Sequence, residues 1–377
     1  MKILYISHHL KGNDGWSRYA RDLIAETQKN GAGVLCLVNE LDPETNIAQK
    51  ALLKKEPLAY IINPIISFFD AQKVNSVIDE FQPDIIHFIV EPYATMVPFI
   101  KKGKAKIVIT AHSTFAYLPI LLTGFKRKFA EQVTLSYYKK VDSVISVSKY
   151  TEDHLKKHMG AIGGLKYLEG KLNIVSGGVA SESIDDSPRK PLSNSPREIL
   201  FVGALKPRKG VIEALEVLSQ VKTDFVYRIV GSHDPKNPYV GLIREKIKSL
   251  GLEGKVVLTG SISDSELKSL YEKADLFLML SMNNGADFEG FGLVYIEANG
   301  RGVPVIGSRD SGVADAILSG KTGYLVDQHD VVGVAGLIDD VLQKNTIKAE
   351  DCLAWARENR SDVKAKKVFE IYSNLLK

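Results

Sequence analysis

Cysteine is nearly missing from this chain. Cys36 and Cys352 stand far apart among 377 residues, which excludes a disulfide framework and a thiol metal cluster and points to a reducing, cytoplasmic setting. No run of about 20 apolar residues occurs, so nothing reads as a membrane span. The opening ILYIS meets His8 and His9 too early for a secretory core and reads as a first buried strand. The loop after it lacks the G-x-G-x-x-G spacing of a dinucleotide fingerprint. A formal net charge of +4 is too small an excess to indicate a nucleic-acid partner, although it suits a small anionic ligand.

What is present is enough material for two cores. A chain of this length exceeds the usual size of one compact core, and 45% hydrophobic with 25% charged residues suits two soluble domains. The stretch 181–197, SESIDDSPRKPLSNSPR, has three prolines and little apolar material, so it reads as a linker between domains at 1–180 and 198–360.

Each half alternates strand and helix signals. In the first, apolar runs at Ile3–Ile6, Val34–Val38, Ile85–Val90, Ile107–Thr110 and Val144–Val147 alternate with helical patterns at Trp16–Lys29, Asp70–Phe81, Thr95–Lys101 and Thr151–His158. The second repeats the scheme from EILFVG onward, with strands at Phe225–Val230, Val256–Thr259, Leu276–Leu280, Val303–Ile306 and Tyr324–Val326. Its helices are expected at Val211–Ser219, Tyr239–Leu250, Asp264–Lys273 with Ser263 as cap, and Val331–Leu342. The pattern implies an α/β fold of two Rossmann-like, doubly wound parallel sheets.

The chemistry concentrates at Asp287–Ile306, DFEGFGLVYIEANGRGVPVI. Glu289 precedes the turn Gly290-Phe291-Gly292, a helix follows from Leu293, and Glu297 lies two turns along it. Bare amides at the helix start suit a diphosphate, with Glu289 at the mouth of a cleft and Glu297 placed for a hydroxylated part of the same ligand. The alternative is a strand-loop-helix unit whose glycines serve packing and whose glutamates face water. A second basic turn, Gly203–Gly210, GALKPRKG, offers Lys206, Arg208 and Lys209 to phosphates; it also fits a solvent-facing turn. Ser232 and Ser261 end two strands at the same kind of edge. Gly12 and Gly15 follow the first strand, where they allow a ligand to approach the backbone or serve an ordinary turn. His87, inside a strand, reads as structural, whereas His112 ends a strand where its imidazole can donate to a sugar hydroxyl or a developing negative charge.

The E-x7-E spacing of Glu289 and Glu297, followed by A-x-x-x-G-x-P-V-I, resembles the signature of the retaining glycosyltransferases of family four. The resemblance extends over essentially the whole chain. It implies the GT-B architecture, two Rossmann-like domains facing across a cleft, with a carboxyl-terminal helix at 361–377 crossing back to the first domain. It places Glu289 near the transferred sugar, Glu297 on the ribose and His112 against the sugar. The loop Gly12-Asn13-Asp14-Gly15 would lie beneath the donor phosphates, and Gly260-Ser261 would hold the nucleobase. Lys209 matches the second basic position of the family's G-R-x-x-x-x-K-G, while Ala204 stands where the arginine is expected. Ser176–Ala180 and Ser311-Gly312 with Asp315 also depart from the family pattern.

The function implied is transfer of a sugar from a nucleoside diphosphate sugar to a hydroxyl acceptor, in polysaccharide or glycolipid assembly. Lys209, Glu289 and His112 form the catalytic set. Donor contacts are assigned to Gly12, Gly15, Gly203, Lys206, Arg208, Ser232, Ser261, Gly290, Phe291, Gly292, Leu293 and Glu297. No cofactor or metal is expected, because basic side chains and helix amides neutralise the departing diphosphate. The acceptor is a carbohydrate or a lipid-linked molecule. Residues 115–140 mix apolar groups with Lys126, Arg127, Lys128, Lys139 and Lys140, which fits either peripheral contact with the inner membrane face or a solvent-facing basic helix. A noncatalytic nucleotide-sugar-binding protein, a GT-B epimerase and, less so, a phosphorylase are the alternatives.

Overall fold

The computed structural model describes residues 1–12, 15–54, 56–185, 196–234, 236–285 and 287–377, apart from the side chains of Ile62, Thr114 and Phe115. Asn13, Asp14 and most of the 181–197 stretch therefore lie outside the described residues. The chain divides into two units, Met1–Gly178 with Ser361–Lys377, and Val179–Arg360.

The first unit runs β1 (Lys2–Ile6), α1 (Gly15–Lys29), β2 (Gly33–Val38), β3 (Gln49–Ala51), α2 (Ala59–Ile62), α3 (Pro64–Phe81), β4 (Ile85–Phe88), β5 (Lys106–Ala111), α4 (Gly124–Lys140), β6 (Ser143–Ser146), α5 (Lys149–Ala161) and β7 (Leu172–Ile174). The seven strands are parallel in the order β3-β2-β1-β4-β5-β6-β7, with Ile3 registered on Val34 and Ile85. Central strands of such a sheet are covered on both faces, so they are nearly continuous apolar runs, and every residue of β4 is buried, His87 included. Helix α1 buries Tyr19, Ala20, Leu23, Ile24 and Thr27, a single stripe at helical spacing.

The expected helix at Thr95–Lys101 is instead a 3-10 helix from Glu91 to Phe99. Pro98 withholds an amide that an α-helical ladder needs there, whereas Pro92 sits in the first turn, where its missing amide costs nothing. A second 3-10 stretch, Thr114–Leu121, leads from β5 to α4.

The second unit runs β8 (Arg197–Val202), α6 (Val211–Leu218), β9 (Phe225–Val230), α7 (Pro238–Ser249), β10 (Val256–Gly260), α8 (Asp264–Lys273), β11 (Leu276–Met279), α9 (Leu293–Asn299), β12 (Val305–Ser308), β13 (Gly323–Val326), α10 (Val331–Lys344) and α11 (Ala349–Glu358). Its parallel order is β10-β9-β8-β11-β12-β13. Ser263 caps α8 through a reciprocal box with Glu266.

The junction between the units and one strand differ from the sequence reading. The first unit ends at Gly178, and the Val179 amide already bonds the Asn359 carbonyl at 3.0 Å. Residues 181–185 are not a free linker: the Asp185 amide bonds the Gly300 carbonyl at 2.8 Å, at the end of α9. The strand expected at Val303–Ile306 is shifted to Val305–Ser308.

The chain closes with α12 (Ser361–Leu375), which belongs to the first unit. Its buried Tyr372 hydroxyl meets His87 Nδ1 at 2.5 Å and Tyr5 at 3.3 Å, and His87 Nε2 lies 2.7 Å from Thr110. Burial pushes the His87 imidazole down to about 3, so it works as a neutral hydrogen-bonding core residue.

Candidate active site

In an open parallel sheet, ligands bind beyond the carboxyl ends of the strands where the strand order reverses. In the second unit that point lies between β8 and β11. The turn after β8 carries Arg208 and Lys209; the loop after β11 carries Asp287 and Glu289. Adjacency of the two strands thus brings together residues 80 positions apart.

Glu289 Oε2 accepts from Lys209 Nζ at 2.5 Å and from Arg208 Nη1 at 2.7 Å, while Arg208 Nε stands 3.4 Å from Asp287. Lys209 and Glu289 are each only 9% exposed. Burial alone raises a carboxyl, but the two cations outweigh it and hold Glu289 at about 2. Burial lowers Lys209, opposed by the same carboxylate. The result is a charged, nearly dry cluster with two strong donors.

Gly210 fixes the basic turn. It has φ +65°, and a Cβ there would fall 1.6 Å from the Leu280 carbonyl oxygen, so only glycine lets the turn rest on the end of β11. The Met282 amide donates to the Arg208 carbonyl at 2.8 Å and ties the two loops together. Gly203 flanks the lysine: a Cβ there would lie 3.9 Å from Lys209 Cε, an ordinary van der Waals contact. Lys206 is exposed and outside the cluster, and Ala204 is exposed.

Beyond Glu289, Gly290, Phe291 and Gly292 are buried and Leu293 opens α9. Gly292 has φ +87°, with Tyr295 where its side chain would point. Helix α9 has only seven residues, so its dipole is small and side-chain cations must supply most of the charge for an anion. Glu297 lies one turn into it, not two, and accepts from the Tyr271 hydroxyl at 3.0 Å. Ser232 and Ser261 are exposed at the carboxyl ends of β9 and β10.

Two residues, His233 and Tyr271, were passed over by the sequence reading, which had placed Ser311–Asp315 on a cleft-edge loop. His233 packs on Gly260, where a Cβ would lie 2.8 Å from the ring, and its Nδ1 is buried without a partner. Its signal was available: GSHD directly follows a strand. The Gly312 amide donates to the Glu289 carbonyl at 2.8 Å, so the Ser311-Gly312 loop supports the cluster despite departing from the family pattern. Tyr271, on α8, orients Glu297.

Gly12, Gly15 and His112 lie in the first unit, also at carboxyl ends of strands. Gly12 has φ +87° and its carbonyl accepts from Arg21 at 2.5 Å; Gly15 is the first residue of α1. His112 Nε2 lies 2.9 Å from the Ile89 carbonyl and must donate to it, which leaves Nδ1 as the accepting nitrogen. Burial lowers the ring to about 4. A sugar hydroxyl would therefore donate to His112, the reverse of the direction first expected. Behind it, Glu91 Oε1 accepts from the His112 amide at 2.5 Å, and burial pushes this carboxyl up to about 8.

Among the described residues, no group of three or more His, Cys, Asp or Glu side chains could hold a metal ion, and no helix is long and apolar enough to cross a membrane.

A family model described as "Glycosyltransferase Family 4" matches residues 13–166, and one described as "Glycosyl transferases group 1" matches 183–361. A GDP-mannose-dependent alpha-(1-6)-phosphatidylinositol monomannoside mannosyltransferase of Mycolicibacterium smegmatis is 29% identical over 310 residues, 77% of this chain and 76% of the relative. Several other curated relatives are matched over 52–61% of their length. Among solved structures, a glycosyltransferase from Rickettsia africae superposes with a TM-score of 0.77 at 20% identity, over 100% of this chain and 98% of that one. An Anabaena protein solved with UDP and glucose gives 0.76 at 18% identity, over 99% and 100%. At those identities the structural likeness establishes the fold.

Proposed function

The chain belongs to the GT-B-fold glycosyltransferases related to family four, and from that premise we propose that it moves a sugar from a nucleoside diphosphate sugar to a hydroxyl acceptor with retention of configuration. The observation that carries this reading is the convergence of Arg208 and Lys209 on Glu289 beside the strand-order reversal. A diphosphate approaching this edge offers the two cations better partners than one carboxylate, because it presents several charged acceptor oxygens. Arg208 and Lys209 then stabilise charge building on the departing phosphate. Arg208 supplies a guanidinium close to Lys209 although Ala204 occupies the family's arginine position.

Glu289, released from the cations, orients the sugar. It is not assigned as a nucleophile: the acceptor hydroxyl, polarised by the leaving phosphate, can enter on the same face. Glu297 and Tyr271 suit the ribose, and Gly260, Ser261 and His233 suit the base. His112 accepts from a sugar hydroxyl. No metal is required where two side-chain cations already face the phosphate. The acceptor belongs to polysaccharide or glycolipid assembly, and the basic, aromatic 115–140 segment supports peripheral contact with an anionic membrane.

The test is a binding screen of the protein against UDP-, GDP-, ADP- and dTDP-sugars, each beside its free nucleotide, followed by transfer assays with the preferred donor. One sugar-dependent preference and Glu289-dependent transfer are expected. Donor binding without turnover across a broad acceptor panel would favour the noncatalytic module suggested by Ala204, and no binding would defeat both readings.

A further inference from the structure

The first unit contains a cavity of about 270 Å³ that the donor chemistry leaves unused. Its walls come from α2 and α3 (Tyr60, Pro64), the 3-10 helix ending at Phe99, the stretch after β5 (Leu118), and α4 (Phe129, Val133). The lining is overwhelmingly apolar. Around it the surface is unusually greasy: Ile65, Phe68, Phe69, Phe99 and Phe129 are all exposed, and Phe125 is 84% exposed. Phe68 packs edge-on against Phe69 and Phe99, with centroids 5.5 Å apart in both pairs. These rings form a continuous apolar rim on α3 and the following 3-10 helix.

Helix spacing sets charge beside this rim. On α4, Phe125, Phe129 and Val133 recur at four-residue intervals, and Lys128, Gln132, Ser136 and Lys140 form the adjoining stripe. Gln132 and Ser136 line the cavity, so a lysine stands one turn beyond the lining at each end. Lys140 Nζ reaches the Pro98 carbonyl at 2.5 Å, and Pro98 is itself a wall residue. Helix α4 carries five basic residues and one acidic residue, Glu131, which Arg127 engages at 3.0 Å. The rim therefore suits a molecule with an apolar chain and an anionic end.

We infer that the cavity takes one hydrocarbon chain of a membrane-borne, anionic lipid that carries the acceptor hydroxyl, with its charged end held by Lys140, whose ammonium already stands at the cavity wall beside Pro98. This deepens the transferase reading and rests on it. A methylene takes roughly 30 Å³, as a water molecule does, so the cavity accommodates a chain of about nine. Leu118 is six residues after His112, a path of at most about 20 Å, so a chain in the cavity can present its polar end toward the sugar-facing histidine of the same unit.

The test is calorimetric titration with hexyl, octyl, decyl and dodecyl phosphate below their micellar concentrations, beside titration of the preferred sugar nucleotide. Affinity is expected to rise about fourfold per methylene and level off near nine or ten carbons. Val133→Trp, which fills the cavity from its half-buried wall, should abolish the chain-length dependence while leaving donor binding and the melting temperature near those of the parent. Lys140→Glu should weaken every alkyl phosphate at least fivefold at low salt, whereas Lys128→Glu, about 18 Å away along the same helix, should have a smaller effect. If Val133→Trp unfolds, the smaller substitution Ser136→Phe at the exposed edge of the cavity replaces it. Affinity independent of chain length, or growth with length that these variants do not touch, overturns the inference. So does a self-associated protein in which Phe125→Ser dissociates the assembly and no alkyl phosphate binds. Donor binding without alkyl-phosphate binding removes the cavity assignment alone; saturable alkyl-phosphate binding without binding of any sugar nucleotide removes the transferase reading instead.

Discussion

Replacing Glu289 by Gln keeps the shape of the cluster and removes its negative charge, so it isolates what that charge contributes. The carboxyl sits at about 2 against an ordinary value of 4.5. An acid held lower in the folded state than in the unfolded chain adds stability that is complete above 4.5 and is lost as pH falls toward 2. The size is about 3 kcal/mol at pH 7, falling to about 1 kcal/mol at pH 3. An independent argument agrees: removing one partner of a buried ion pair costs roughly 3–5 kcal/mol because the other charge is left without compensation. Here Lys209 and Arg208 would also be left facing each other. The assay is urea unfolding of Glu289→Gln and its parent from pH 3 to pH 8, followed through Trp355, whose indole donates to the Ala316 carbonyl inside the second unit. A Trp16→Phe background removes the other tryptophan signal. The parent should exceed the variant by about 3 kcal/mol at pH 7, with the gap closing in acid. Equal stability at pH 7, or a gap that does not shrink, would refute the description of the cluster as a buried ion pair.

Glu91 should show the opposite slope, since its carboxyl is raised by burial to about 8: its contribution is favourable below 4.5 and declines as pH rises toward 8. Glu91→Gln should flatten that part of the stability–pH curve, and an unchanged curve would contradict the assignment. His112, lowered by burial to about 4, should remain neutral through the physiological range, so its ring resonances should not titrate above about pH 5; a midpoint near 6.5 would disprove the buried tautomer. If Arg208 and Lys209, the two cations on Glu289, supply the phosphate-facing charge as proposed, sugar transfer should survive exhaustive chelation; loss of turnover restored by one divalent ion would show that they do not suffice.

The sequence disclosed elements whose burial matches their hydrophobic pattern and hid those where the two part company. Strands β1, β2 and β4 are almost wholly apolar where they are buried, with His87 of β4 the polar exception, because both faces of the sheet are covered. Strands β3 and β7 were missed: each is a three-residue edge strand, QKA and LNI, without such a run. The first turns of α3 went unread because Ile65, Phe68 and Phe69 face outward, against the usual polarity of a surface helix. Helix α11 buries only Cys352, Leu353 and Ala356, too thin a stripe to register.

At the site, local chemistry was legible and long-range pairing was not. Lys209 and Glu289 stood out because each borders a glycine turn after a strand. Their direct contact depends on β8 and β11 becoming neighbours, a property of strand order rather than of either segment. The tautomer of His112 and the support from Gly312 likewise depend on carbonyls distant in sequence, at Ile89 and Glu289.

The central claim is that the Arg208–Lys209–Glu289 cluster receives the diphosphate of a sugar nucleotide. Its most direct test is titration of the preferred sugar nucleotide into the parent and into Lys209→Met, with unfolding checked on the same samples. Loss of one charged hydrogen bond should weaken binding about 10- to 100-fold in a folded variant. Equal affinity in a folded Lys209→Met protein would place the diphosphate elsewhere and contradict the account.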